Sequence, residues 1–234
     1  MEKLFSVRGL AFLALFAVLA FIGLNTGVFA LQGVTGKSFT LFELFGPVAG
    51  GFLGIAGVAA VFLAKAAAFV LSGAPFSFWD VAKLTPMMFA AYYFWKNGAK
   101  AFSDRLGLLV PALAMLAFWL NPVGQQAWIY ALYWTIPIIV KFLPDRLLLR
   151  SYGATFTAHA VGSVLFLYTV PTVPALWIAL IPIVALERTV FALGITATYW
   201  VFTSVLNAVD KVVGISKDIN VEKRYALELN GRSG

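Results

Sequence analysis

Apolar residues in this chain run on without interruption instead of alternating with polar ones. Runs near 9–31, 46–71, 106–121, 126–143, 153–169 and 175–196 carry few charges. Several approach or exceed the roughly 20 residues that a helix needs to cross a bilayer. Membrane-spanning strands would instead alternate over about ten residues. The pattern predicts helices. A further apolar stretch, Leu84–Trp95, is only twelve residues long. That length suits a re-entrant or interfacial segment better than a crossing.

Composition gives these helices their setting. Hydrophobic residues make up 62% of the 234 positions and charged residues 12%, with mean hydropathy +0.91. A soluble domain is about 45–50% apolar and about 25% charged. The expectation is an all-α, polytopic transmembrane bundle of about six spans, a multi-pass protein of the cell membrane with the lipid bilayer as its first partner. Residues 1–209 form the transmembrane domain in this reading. Residues 210–234 form a short cytoplasmic tail, too short for a core of its own and explained by an amphipathic or disordered extension. The apolar run Leu10–Leu24 is long for a signal peptide and reads as a retained first span.

Charge placement orients the bundle. If Leu84–Trp95 does not cross, segments 73–105 and 141–150 share one side with both termini. They hold Lys83, Lys96, Lys100, Arg105, Lys141, Arg146 and Arg150. The other side has Lys37 and Glu43, so the positive-inside rule puts both termini in the cytoplasm. A seventh or eighth span would require a break in 175–209 near Glu187-Arg188. Small residues recur on two runs: Gly46, Gly50, Gly54, Ala56, Ala60, Ala64 and Ala68 on the second, and Ala11, Ala14, Ala17 and Ala20 on the first. Such ladders permit close backbone approach, either within the bundle or at a docking face for a membrane partner.

Two groups of polar residues are candidates for function. The lone histidine His159 and the pair Glu187-Arg188 fall well inside apolar runs, where ionisable groups are costly and functional by default. The short connection 170–174 makes their helices antiparallel neighbours, so this buried polar cluster can meet, as a polar clamp, a proton relay or a substrate contact. The second group is Trp119, Asn121, Gln125, Gln126 and Trp128, around an uncharged turn at the opposite face. Amides beside aromatic planes suit a neutral or weakly charged planar solute, with the loop Gly33–Phe45 closing over it.

Catalytic readings fare worse. The chain has no cysteine and one histidine, which cannot supply a usual metal set. Ser163 follows His159 by four residues but lies in no nucleophile-elbow context. No Walker A motif is present. No catalytic residue, metal or cofactor is assigned, and enzyme is the less expected class. The net charge of +7 comes from scattered basic residues without a continuous stripe, so no nucleic-acid partner is expected.

The stretch Leu44-Phe-Gly-Pro-Val-Ala-Gly-Gly-Phe-Leu-Gly54, the run His159-Ala-Val-Gly-Ser163, Trp177, and Leu186-Glu-Arg-Thr-Val-Phe-Ala192 carry a resemblance. Over residues 8 to 210 the chain resembles the substrate-binding membrane subunit of energy-coupling-factor transporters. The resemblance implies binding of a small organic, vitamin-like solute for uptake, with a separate transmembrane coupling subunit and ATPases as partners. It also implies an Ala-x-x-x-Ala docking motif on the first helix, from which the three-residue alanine spacing here departs. The cobalt- and nickel-type members use an N-terminal histidine, which Met-Glu-Lys does not provide. The alternative is a self-contained carrier, channel or assembly subunit built on His159, Glu187 and Arg188, and an intramembrane enzyme is a third class.

Overall fold

A computed structural model describes residues 7–30, 38–73, 76–97, 104–214 and 219–227. The protein is all-α apart from one small ribbon. Helix α1 (Val7–Leu24) leads into strands β1 (Gly27–Ala30) and β2 (Ser38–Thr40), which pair antiparallel with Phe29 opposite Phe39. The first run was expected to stay helical to residue 31. Instead it stops at Leu24, where the Asn25 and Thr26 side chains bond back to the Phe21 and Ile22 carbonyls. Such local side-chain bonds compete with helix continuation.

The run 46–71 is not one helix. It divides into α2 (Val48–Leu53) and α3 (Ile55–Leu71) at Gly54, whose φ of 60° and ψ of −134° only glycine adopts without strain. The chain folds back there. A Cβ on Gly57 of α3 would collide with the Ala49 carbonyl of α2, and Lys65 of α3 returns to within 3.3 Å of Glu43, just before α2. The glycine ladder is thus a close-approach device, used within the chain. Gly50 admits the Ala91 carbonyl of the next long helix, where any side chain would clash with backbone.

Leu84–Trp95 also departs from expectation. After the short α4 (Phe78–Ala82), helix α5 (Pro86–Asn97) runs inside the bundle, antiparallel to α9 (Leu147–Thr169). Pro86 faces Gly162 near one end of α9, while Tyr93 covers Gly153 and Phe94 lies under Arg150 near the other. Met87, Ala90, Ala91, Tyr93 and Phe94 are buried, so α5 is a core helix and not a surface segment. The apolar character read from sequence was real. Its twelve residues give about 18 Å, short because both ends meet protein.

The chain then rises through α6 (Arg105–Leu120), turns at α7 (Pro122–Gln126) and returns through a 3-10 stretch, Trp128–Trp134, into α8 (Thr135–Val140). After α9, helix α10 (Pro174–Val213) continues for 40 residues, unbroken at Glu187-Arg188 and with Pro182 inside it. Among the described residues one helix, Pro174–Val212, is long and apolar enough to cross a membrane, with mean hydropathy 2.0. Gly9–Leu24, Ile55–Leu71, Arg105–Leu120 and Trp128–Val140 are apolar but shorter.

Two ends of the bundle result. The hairpin end holds the β ribbon, Glu43, Lys65, Lys83 and the α9–α10 connection. The tail end holds Lys141 paired with Asp104 at 2.7 Å, Arg150, and residues 219–227. Those last residues are no loose extension. Ile219 is buried in the core, Asn220 bonds to the Phe52 and Gly51 carbonyls, and Glu222 bonds to Arg150 and Tyr199. Two aromatic cores match the two ends: Phe52, Phe94 and Tyr199 below, and Phe118, Tyr130, Trp134 and Trp177 above. Aromatic pairs of this kind contribute about 0.5–1.5 kcal/mol each beyond their area.

Candidate functional site

A cavity of about 550 Å³ opens between α9, α10 and the β ribbon. That is within the usual range for a small-molecule site, about 300–1,000 Å³. Its floor is His159 on α9 and Tyr130 from the 3-10 stretch. Its walls include Phe166, Trp177, Glu187 and Arg188, and its cover includes Phe39 and Thr40 of β2. Lys65 and Lys83 reach it from the hairpin end.

Each side chain arrives through its element. Glu187 and Arg188 are neighbours about 100° apart on α10, and both meet the cavity because they stand at the two edges of the stripe Trp177, Leu180 and Val184 that faces it. His159 sits midway along α9, buried, with both ring nitrogens committed. Trp134 Nε1 donates to Nδ1 at 3.1 Å, and Nε2 lies 2.9 Å from the Tyr130 hydroxyl. An indole nitrogen only donates, so Nδ1 carries no proton and Nε2–H is the tautomer present. The ring is therefore a fixed donor toward Tyr130, and Phe118 and Trp177 pack on Tyr130 at 5.7 and 4.9 Å between centroids. His159 was expected to contact the Glu187-Arg188 pair directly. It shares their cavity but bonds elsewhere.

Arg188 is 2% exposed and lies over two phenyl rings, 4.7 Å from Phe39 and 4.4 Å from Phe191. Cation–π contact of this kind stabilises a desolvated guanidinium. Its nearest carboxylate, Glu187, stands at 3.5 Å, too far for a good hydrogen bond. Among the described residues, four buried side-chain nitrogen or oxygen atoms lack a partner: Thr40 Oγ1, Thr203 Oγ1, and Nε and Nη2 of Arg188. Three of the four belong to residues on the cavity wall. Buried polar groups are normally satisfied, so orphans gathered at one cavity point to a missing partner there.

The outer amide group lies apart from this cavity, and none of its five residues lines it. Asn121 Oδ1 caps α7 by accepting from Val123 N, and Trp119 Nε1 donates to the Trp128 carbonyl. Gln126 reaches only the Pro122 carbonyl at 3.4 Å, and Gln125, Gln126 and Trp128 are exposed. The site residues that sequence reading missed are Tyr130, Trp134 and Phe39; Trp177 was noted only for the family resemblance. Tyr130 and Trp134 lie inside an apolar run and Phe39 lies outside every run, so no shared position along the chain marks them.

The chain matches no protein-family model, no curated protein and no solved structure.

Proposed function

We propose that this chain is a multi-pass membrane protein that captures a small planar organic solute at its hairpin end, for uptake with a separate transmembrane coupling subunit and ATPases. The observation that carries the reading is the cavity itself, aromatic-walled and holding three orphaned polar atoms. Its cover is a short ribbon whose Phe29 and Phe39 pack on Phe191 of α10.

The outward surface supports a lipid setting. Leu109, Leu113, Leu116 and Leu120 form one exposed stripe on α6, and Leu10, Leu15, Val18, Phe21 and Ile22 leave α1 apolar outside. Contiguous apolar surface of this extent marks contact with lipid or protein. Lys96, Arg105, Lys141, Arg146, Arg150 and Lys211 lie toward the tail end, against Lys65 and Lys83 at the other. That bias supports a cytoplasmic tail end. With α2 reversing at Gly54 and α5 running inside, the bundle has more than six passes, two of them short. The coupling partners rest on the family resemblance.

A self-contained carrier needs passage through to the other side. The floor of His159, Tyr130 and Trp134 is closed by hydrogen bonds and packed rings, which supports capture over passage. The test is purification in nanodiscs without added solute, followed by mass spectrometry of the released small molecules. Wild-type protein is expected to release a planar solute, and Gly162→Leu, which places a larger side chain at the cavity wall, to release none. Gln125→Ala and Trp128→Ala are expected to release as much as wild type. Loss of the solute from those two, with retention in Gly162→Leu, would overturn the location of the site.

A further inference from the structure

Arg188 differs from every other cation at the cavity. Lys65 is answered by Glu43 at 3.3 Å, and Lys83 by Asp80 at 3.4 Å. Arg188 has only the 3.5 Å approach of Glu187. That contact falls on Nη2, which lies with Nε on one edge of the guanidinium; neither atom has a closer hydrogen-bond partner. Two parallel N–H groups on that edge match the two oxygens of one carboxylate, the geometry in which arginine reads this group best.

Resting on the function proposed above, we infer that the solute is a planar monocarboxylate, its ring against the aromatic wall and its carboxylate on the Nε/Nη2 edge of Arg188. Charge supports a single negative group. Lys65 and Lys83 are neutralised by Glu43 and Asp80, so the charges left to meet a solute are Arg188 and, beside it, Glu187. Glu187, one residue away, repels a second charge and so disfavours a phosphate dianion. The ring has its own surfaces in Tyr130, Phe166 and Trp177. Hydrogen-bonding sites of this kind reject analogues that leave their buried donors unpaired, which gives discrimination between an acid and its amide.

Phe39 has a second task in this arrangement. It sits on the β ribbon and packs on the guanidinium at 4.7 Å, with Phe191 of α10 at 4.4 Å. A carboxylate reaches Nε and Nη2 when the ribbon shifts and the Phe39 ring gives way. The empty site thus shelters its cation behind an aromatic cover, and the solute replaces a cation–π contact with a charge-assisted fork.

Matched acid and amide probes decide the matter: nicotinate with nicotinamide, 4-aminobenzoate with 4-aminobenzamide, and indole-3-acetate with indole-3-acetamide. Each is titrated calorimetrically into the protein in nanodiscs. At least one acid is expected to bind tenfold or more tightly than its amide. Arg188→Gln should abolish that preference, its loss of affinity at least tenfold larger for the acid than for the matched amide. Arg188→Lys, which keeps the charge but loses the fork, should keep a preference several-fold smaller than wild type. Amides that bind as tightly as acids, or a full preference in either variant, overturn the carboxylate assignment and leave the cavity as a planar-solute site. Failure of all six probes to bind overturns both readings.

Discussion

Two buried arginines in this chain have the same exposure and opposite circumstances. Arg150, at the tail end, is 1% exposed, and all three of its guanidinium nitrogens are engaged. Nη1 donates to Glu222 at 2.6 Å, Nη2 to Asp145 and Glu222 at 2.9 and 3.1 Å, and Nε to Asp145 at 3.3 Å. Arg224 joins the same carboxylates, and Phe94, Tyr199 and Tyr225 surround the guanidinium. Arg188, at the cavity, has the aromatic company but a single long carboxylate contact, Glu187 at 3.5 Å. The two differ in the saturation of their hydrogen bonds and not in burial.

The largest expected effect is all-or-none and concerns the two ends themselves. In this cysteine-free chain, Ser77→Cys at the hairpin end should label with an impermeant maleimide from outside intact cells. Leu143→Cys, beyond Lys141 at the tail end, should label only after permeabilisation. Labelling of both from one side would collapse the distinction between the ends.

Next comes stability. Arg150→Ala leaves Asp145, Glu222 and Arg224 without their central cation, and breaking such a buried group costs about 3–5 kcal/mol. Thermal unfolding in nanodiscs should show a large drop. Arg188→Met removes a desolvated charge but leaves the buried Glu187 carboxyl without its counter-ion, and should cost less than Arg150→Ala, which unpairs two carboxylates. A comparable loss in both would mean that Arg188 too is structural.

A smaller effect depends on pH. Burial raises the Glu222 carboxyl, but hydrogen bonds from Arg150, Arg224 and Tyr199 outweigh it and hold the group at about 2, below its ordinary 4.5. A carboxyl lowered on folding adds stability in full above its unfolded value, and this is lost as pH falls through the folded one. Wild type should therefore lose part of its melting temperature between about pH 4.5 and pH 2, and Glu222→Gln should lose less over that range. Parallel curves would show that the tail-end cluster does not depend on this carboxylate.

The smallest effect lies at the cavity floor. Trp134→Phe removes the donor to His159 Nδ1, a net loss of about 1 kcal/mol. With a single histidine in the chain, ¹⁵N NMR reads its tautomer without ambiguity. Wild type should show the Nε2–H form and the variant a mixture of both.

Much of this was legible in the sequence because membrane-like composition makes each charge conspicuous. His159, Glu187 and Arg188 stood out inside apolar runs, and the structure gathers them at one cavity. The all-α class followed from uninterrupted apolar runs. The reversal at Gly54 was hidden because an apolar hairpin and an apolar span have the same composition, and the glycines fit either. The Leu84–Trp95 helix was judged by length, a criterion that assumes lipid on all sides, whereas α5 is enclosed by α2, α3 and α9. The amides at Asn121 and Gln126 attracted attention by chemistry, yet local backbone groups had already taken them up. The docking of 219–227 depends on the buried Arg150 and on Phe52, distant positions that no local pattern in the tail reports.

Helix α10 ties these regions together mechanically. Forty residues at 1.5 Å each make a rod of about 60 Å, twice the thickness of a bilayer core of about 30 Å. Trp177 and Arg188 are fixed along it at the cavity, Tyr199 at the Arg150 cluster, and Asp210, 3.3 Å from Lys223, at the far tip. Pro182 forfeits a helix hydrogen bond between Trp177 and Glu187 and is the natural pivot. Below such a pivot, each degree of tilt moves the tip by about 0.7 Å over the roughly 40 Å that follow. A tilt of a few degrees there would reach the carboxylates and arginines at the other end as a change of partner distance.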